Sequence, residues 1–308
     1  MASVLSAEHF HDEAAAYAWV EARVWPDGPI CPHCDSVDSA TALKGKSTRI
    51  GVYKCRDCRR PFTVKVGTIF ESSHVPMNLW LQAIALLTAS KKGFSSNQLH
   101  RMIGVTLKTA WFMGHRIREA MRSGGLAQLG GAGGIVEADE TYFGEKAVKT
   151  SKGKRGPANK RPIAALVERG GEVRTFHVER ADKETVAGIV RDNVSRESRL
   201  MTDESKLYIE VGGEMAGHET VCHSAEEYVR GDVHTNTIEG YFSIFKRGMK
   251  GIYQHCAEKH LHRYLAEFDF RYNARMALGI DDEAGADKVL KGIVGKRLTY
   301  RTTDRQIG

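Results

Sequence analysis

The sequence predicts an α/β protein: a mixed sheet flanked by helices, preceded by a small cysteine-knuckle module and a helical region. Three observations carry this. Four cysteines stand as two CxxC pairs in a short, turn-rich stretch. Over residues 76–122 apolar side chains recur at helical spacing. Beyond a glycine-rich segment, strand-like runs alternate with helical ones, the pattern of a layered α/β domain.

At 308 residues the chain has room for about two domains, since domains run roughly 100–200 residues each. Its composition, 42% apolar and 27% charged, is that of an ordinary globular protein. No run approaches the roughly 20 apolar residues of a membrane helix. The first residues, with Glu8, His9, His11, Asp12 and Glu13, lack the cationic start and apolar core of a signal peptide. A cytosolic protein is the expectation. The net charge of +7 favours a polyanionic partner, although ribosomal and other RNA-binding proteins share that balance.

Residues 1–29 predict a helix, with Phe10, Ala14, Tyr17, Ala18 and Val20 at helical spacing and Trp25–Pro29 ending it. Residues 30–70 follow as a small ribbon. Cys31-Pro-His-Cys34 and Cys55-Arg-Asp-Cys58 lie twenty residues apart, and each CxxC turn can present two sulfurs to one ion. Two such turns complete a tetrahedral thiolate shell, so the pattern predicts one structural Zn²⁺ held by Cys31, Cys34, Cys55 and Cys58. A redox dithiol needs only one CxxC, beside a βαβ pattern that is absent here. Metal-coupled folding of the module follows.

Residues 76–122 read as three helices broken at Gly93 and Gly104. The last two form a helix-turn-helix candidate: Ser95 caps one helix, Leu99 and Ile103 face inward, Gly104 turns and Thr106 caps the next. If the final helix docks in the major groove, Lys108, Thr109 and Arg116 are its candidate DNA contacts, with His115, Arg118 and Arg122 beside them. An ordinary three-helix bundle with a basic face fits the same pattern.

Residues 123–134 contain six glycines in twelve and predict a flexible linker. The main domain is expected at 135–280, with strands at Gly134–Phe143, Arg161–Glu168, Val173–Glu179, Arg199–Thr202 and Glu219–His223, and a tail at 281–308. A basic insertion at 145–162 offers Lys152, Lys154, Arg155, Lys160 and Arg161 as phosphate contacts. A solvated hairpin tip is its plainer reading.

Candidate chemistry lies in three places. Glu137, Asp139 and Glu140 crowd one strand, against the propensity of acids. Asp203 ends another strand. Glu239 and Lys246 stand seven residues apart, two helical turns, on one helix face. Each has a bland alternative: Asp203 also fits a plain turn, and Asn236-Thr-Ile-Glu239 has the shape of a capping box. The spacing, 64 positions from Asp139 to Asp203 and 36 more to Glu239, favours a site.

At these residues the chain resembles a known family. The CxxC pairs, Val136-Glu-Ala-Asp-Glu-Thr-Tyr142, Thr202-Asp-Glu-Ser205 and His234-Thr-Asn-Thr-Ile-Glu-Gly240 with Lys246 resemble bacterial insertion-sequence transposases of the zinc-ribbon, RNase H-like DDE type. The resemblance runs from about residue 8 to 300. It implies an RNase H-like fold with Asp139 on the first strand, Asp203 after the fourth, Glu239 on a late helix, and Lys246 as the lysine two turns on. In part of the family an asparagine near the third position takes over, so Asn236 is the alternative third ligand. The implied cofactors are Mg²⁺ or Mn²⁺ at the three acids, a set able to hold two ions about 3.5–4 Å apart, beside the structural Zn²⁺. The implied partners are DNA, as element terminal repeats and target, and further copies of the chain, at least a dimer, in the nucleoid of the bacterial cytosol with no membrane. Two rivals share these features: a catalytically silent DNA-binding regulator derived from a transposase, and an RNase H-like nuclease for RNA–DNA hybrids.

Overall fold

The computed structural model describes residues 4–122, 124, 127–145 and 160–299. They form two compact units, 1–122 with 280–308, and 123–279. Among the described residues no helix is long and apolar enough to cross a membrane.

The first unit opens with α1 (Glu13–Val24), shorter than the sequence suggests because Asp12 caps it by accepting the Ala15 N–H at 2.7 Å. A three-stranded antiparallel sheet follows, β1 (Ala40–Ala42), β2 (Tyr53–Cys55) and β3 (Pro61–Phe62), in spatial order β1-β2-β3. Three helices come next: α2 (Met77–Ala89), α3 (Ser96–Ile103) and α4 (Leu107–Met121). Trp80 is buried on α2, while Leu99 and Ile103 of α3 face inward as their spacing requires. Gly104 ends α3 at φ 72°, a left-handed conformation that glycine adopts without strain, and Thr106 caps α4 by accepting the Thr109 N–H.

The second unit is built on a five-stranded mixed sheet. Its strands are β4 (Ile135–Glu145), β5 (Lys160–Glu168), β6 (Val173–His177), β7 (Arg199–Thr202) and β8 (Gly217–Thr220), with α5 (Lys183–Asn193) crossing from β6 to β7 and α6 (Ile209–Gly212) before β8. The spatial order is β6-β5-β4-β7-β8. β4 runs antiparallel to β5 and parallel to β7, so the first three strands meander and the last two are parallel additions. This is the strand arrangement of an RNase H-like fold. A small pair, β9 (Val229–Arg230) and β10 (Val233–His234), leads into α7 (Asn236–Gly248), and α8 (Leu261–Asn273) follows.

The period of two along β4 assigns its residues to two layers. Val136 and Ala138 pack with Val186, Val190 and Tyr208 on one side. Glu137, Asp139 and Thr141 pair across β5 with Val167, Ala165 and Ile163, which belong to the other layer with α7 and α8. The acids of odd number therefore face α7.

The glycine-rich stretch differs from the expected linker. Leu129 is buried, its N–H donates to the Asn193 carbonyl at 2.7 Å and its carbonyl accepts from Ser195. Gly130, Gly131 and Gly133 all have positive φ, and a Cβ on Gly130 would stand 2.1 Å from the Ser198 Oγ. There the glycines build a tight turn onto the sheet unit.

The chain then returns to the first unit. α9 (Asp282–Lys291) occupies the segment expected as a tail, with Ala286, Val289, Leu290 and Ile293 buried at helical spacing. It packs on α1, α2 and α4, and Gly295 donates to the Gly67 carbonyl at 2.8 Å.

Candidate catalytic cleft, metal centre and nucleic-acid surface

In the ribbon the four cysteine sulfurs all lie within 4.8 Å of one another. Cys31 and Cys58 are 3.6 Å apart and Cys34 and Cys55 are 3.7 Å apart. Four sulfurs at Zn–S of about 2.3 Å in a tetrahedron stand about 3.8 Å from each other, so the donor set fits a structural Zn²⁺. The thiols also titrate apart. Hydrogen bonding from Ser36 pulls Cys34 down to about 6, whereas Cys58, although an Arg60 backbone hydrogen bond pulls it down, is pushed up to about 12 by desolvation and the neighbouring sulfurs. Four thiolates crowd together comfortably only around a cation. Among the described residues this is the one group of three or more ligand side chains so closely gathered.

The cleft of the second unit has a volume of 730 Å³ and is lined by charges of both signs. Asp139, Glu140 and Glu239 line it together with Lys246, Arg247 and Lys250. β4 supplies the first two acids. α7 supplies Glu239 and, two turns on, Lys246, as their spacing requires. Asn236, the first residue of α7, is exposed and is not part of the lining.

Asp139 is strongly perturbed. Burial, then the charges of Asp203, Glu140 and Glu239, push its carboxyl from 3.8 up to about 7. Asp203 thus belongs to the same electrostatic cluster, at the end of β7, where its Oδ1 accepts the Ser205 N–H at 3.0 Å. The turn-forming role and the cluster coexist. Glu140 is raised by burial, against a hydrogen bond from the Tyr208 hydroxyl, and its Oε1 is buried without a hydrogen-bond partner. Mutually repelling carboxylates, one with an orphaned oxygen, fit hard divalent cations such as Mg²⁺. Among the described residues these carboxylate oxygens, unlike the cysteine sulfurs, do not all lie within 4.8 Å of one another.

Glu239 is half-exposed. Its Oε1 accepts from the Thr235 hydroxyl at 3.0 Å, and the His223 Nε2 lies 3.5 Å away. The capping box, the plainer reading of this stretch, is not formed: the Glu239 N–H donates to the Thr235 carbonyl at 3.1 Å and the Asn236 N–H to His234 Nδ1 at 3.4 Å. Lys246 is pulled below its ordinary value by burial, with Asp139 opposing the shift.

Four residues at this site are not singled out by the sequence. Glu140 was noted only as part of the acidic run. His223 was expected in a strand running Glu219–His223, but β8 stops at Thr220 and His223 begins a turn that carries it to Glu239. Arg247 and Lys250 extend the basic wall, which their positions one and four residues after Lys246 could have indicated.

The expected DNA contacts divide sharply. Lys108 is exposed and Thr109 partly so, both in the first turn of α4. Arg116 is a correction: it is only 5% exposed and donates through Nη1 to the carbonyls of Ile69 and Glu71, at 2.7 and 2.8 Å. His115 and Arg118 are buried as well. The reason is that α4 packs on α2, α3 and α9, which leaves every residue from His115 to Arg118 buried. Arg161 is likewise buried, donating to the Cys256 carbonyl at 2.7 Å, while Lys160 is exposed. Lys152, Lys154 and Arg155 lie outside the described residues.

Comparison with known proteins gives two family matches. Residues 131–273 match a family described as ISXO2-like transposase domain, and residues 11–61 match one described as transposase zinc-ribbon domain. A protein of Halobacterium salinarum, described as an uncharacterized protein in transposable element ISH50, is 28% identical over 263 residues. The match covers 80% of this chain and 86% of that protein.

Proposed function

We propose that the chain, which is similar to insertion-sequence transposases, cuts DNA at the ends of its element and joins them to target DNA in the cleft of the second unit. The observation that carries this is the lining of that cleft, where Asp139 and Glu239 lie together with Lys246, Arg247 and Lys250.

Asp139, Asp203 and Glu239 would hold one or two Mg²⁺ or Mn²⁺ ions, with Asn236 as the alternative third ligand. Such ions, when bound, acidify an attacking water or 3′-hydroxyl and offset charge on the phosphoryl group. The chain's own residues do the rest. Asp139, with its carboxyl raised to about 7, keeps its proton in about half of the molecules at neutral pH, and a bound cation would favour the charged form. Lys246, partly desolvated and on the same helix face as Glu239, holds a phosphate beside the scissile bond. Arg247 and Lys250 extend that grip along the backbone. No side chain needs to become covalently attached to DNA.

Lys108 and Thr109, exposed or partly so at the start of α4, would grip phosphates of the element end, as would exposed Lys160. Bringing two ends together requires at least two copies of the chain, which light scattering of the DNA complex would report.

The test is cleavage and strand transfer on end-sequence DNA with Mg²⁺ or Mn²⁺, comparing wild type with Asp203→Asn, Glu239→Gln and Asn236→Ala. Loss of both steps in the first two variants, with Asn236→Ala active, is expected. Activity retained in Asp203→Asn would refute the assignment. Specific binding without any cleavage would leave a DNA-binding regulator, and cleavage confined to an RNA–DNA hybrid would leave a nuclease.

A further inference from the structure

Glu137 precedes Asp139 by two positions on β4, so both side chains leave the same face of the sheet. Its carboxylate is fully buried. Oε1 accepts from Arg169 Nε at 2.6 Å and from the Thr237 hydroxyl at 2.8 Å, and Oε2 accepts the Ile238 N–H at 2.9 Å. Thr237 and Ile238 lie in the first turn of α7, where backbone N–H groups have no partner within the helix. The preceding residue, Thr235, makes no capping bond to that turn. The cap arrives instead from a strand a hundred residues earlier in the chain, and the positive end of the helix dipole favours its charge.

Arg169 completes the clamp. Besides Glu137 it donates to the carbonyls of Asp232 and His234, at 2.6 and 2.8 Å, and to the Nδ1 of His234 at 3.0 Å. It thereby grips the segment that leads into α7. A buried ion pair is a poor source of stability, because desolvation offsets its attraction. What this one does is geometric. It fastens the strand bearing Asp139 to the helix turn bearing Glu239, which follows the contacted Ile238 directly.

We propose that Glu137, held by Arg169, is a positioning residue that sets the separation of Asp139 and Glu239 and so the affinity of the cleft for divalent cations. The inference rests on the reading of that cleft as a divalent-ion site. Groups that orient metal ligands without touching the metal typically affect affinity or activity by about 10–100-fold.

The experiment is titration of the full chain with Mn²⁺, followed by electron paramagnetic resonance, alongside thermal melting. Wild type is expected to bind Mn²⁺ at a site that Asp139→Asn abolishes. Glu137→Gln, which keeps an acceptor for one N–H but loses the pair with Arg169, is expected to raise the half-saturating Mn²⁺ concentration by about 10–100-fold. Thr237→Val removes one bond to the same carboxylate and should shift it less, in the same direction. Val190→Ala, in the opposite layer, should lower the melting temperature without moving the Mn²⁺ affinity. Unchanged affinity in folded Glu137→Gln overturns the proposal, and if that variant does not fold, unchanged affinity in Thr237→Val does so. Absence of an Asp139-dependent site in the wild type would instead overturn the reading of the cleft.

Discussion

Replacing Asp139 by Asn should make the protein more stable while abolishing its chemistry. In the folded chain the Asp139 carboxyl is pushed from 3.8 up to about 7 by burial and by the charges of Asp203, Glu140 and Glu239. Each unit corresponds to about 1.4 kcal/mol, so a fully enclosed group would destabilise the apoprotein by about 4 kcal/mol once ionised. Asp139 opens onto the cleft, and solvent screening reduces this to about 1–2 kcal/mol. For a unit of this size about 1 kcal/mol moves the melting temperature by about 2–4 °C, so Asn should raise it by about 2–8 °C at pH 8. The sign with pH is definite. Below about pH 4 both states are protonated and the penalty is absent. Between about pH 4 and 7 the unfolded chain ionises while the folded chain keeps its proton, so wild type loses stability as pH rises. Above about pH 7 the penalty is complete. Scanning calorimetry at pH 5 and pH 8, with and without Mg²⁺, is the assay. The gain from Asn should be larger at pH 8, and Mg²⁺ should stabilise wild type more than the variant. A destabilised variant, or a gain equal at both pH values, would refute the electrostatic reasoning, and retained strand cleavage would remove Asp139 from the mechanism.

Two further outcomes follow from the first unit. Chelation, or Cys31→Ser, should release one Zn²⁺ per chain, detected by a colorimetric dye, and unfold the ribbon, because the small cluster of Cys31, Cys55 and Phe62 is too slight to fold without its metal. A ribbon that keeps its circular dichroism and near-ultraviolet signal in the metal-free state would contradict this. Lys108→Ala should weaken binding to all DNA sequences alike and reduce the slope of log affinity against log salt by about one, whereas Arg116→Ala should lower thermal stability because Arg116 braces the Ile69 and Glu71 carbonyls. The reverse pattern in the salt titration would return Arg116 to the DNA surface.

The sequence by itself determined whatever depends on spacing within a short window. The two CxxC turns announce a metal because each holds its sulfurs in local geometry. The helices around Gly104, the strands at Arg161–Glu168 and Arg199–Thr202, and the shared face of Glu239 and Lys246 follow from periods of 3.6 and 2. The tertiary structure decided what depends on which surface another element covers. Arg116, His115 and Arg118 read as a basic helix face and are buried, because burial is a property of neighbours that the helix period cannot name. The glycines at 130–134 read as slack and form a turn, and at Gly130 only the nearby Ser198 reveals why a Cβ is forbidden. The segment 281–308 reads as a tail, although the spacing of Ala286, Val289, Leu290 and Ile293 already carried the signal of a packed helix. Glu137 and Asp139 look alike in sequence, two acids on one face of one strand. One is sealed beneath the start of α7 and the other opens to the cleft, a difference made by a helix that begins nearly a hundred residues later.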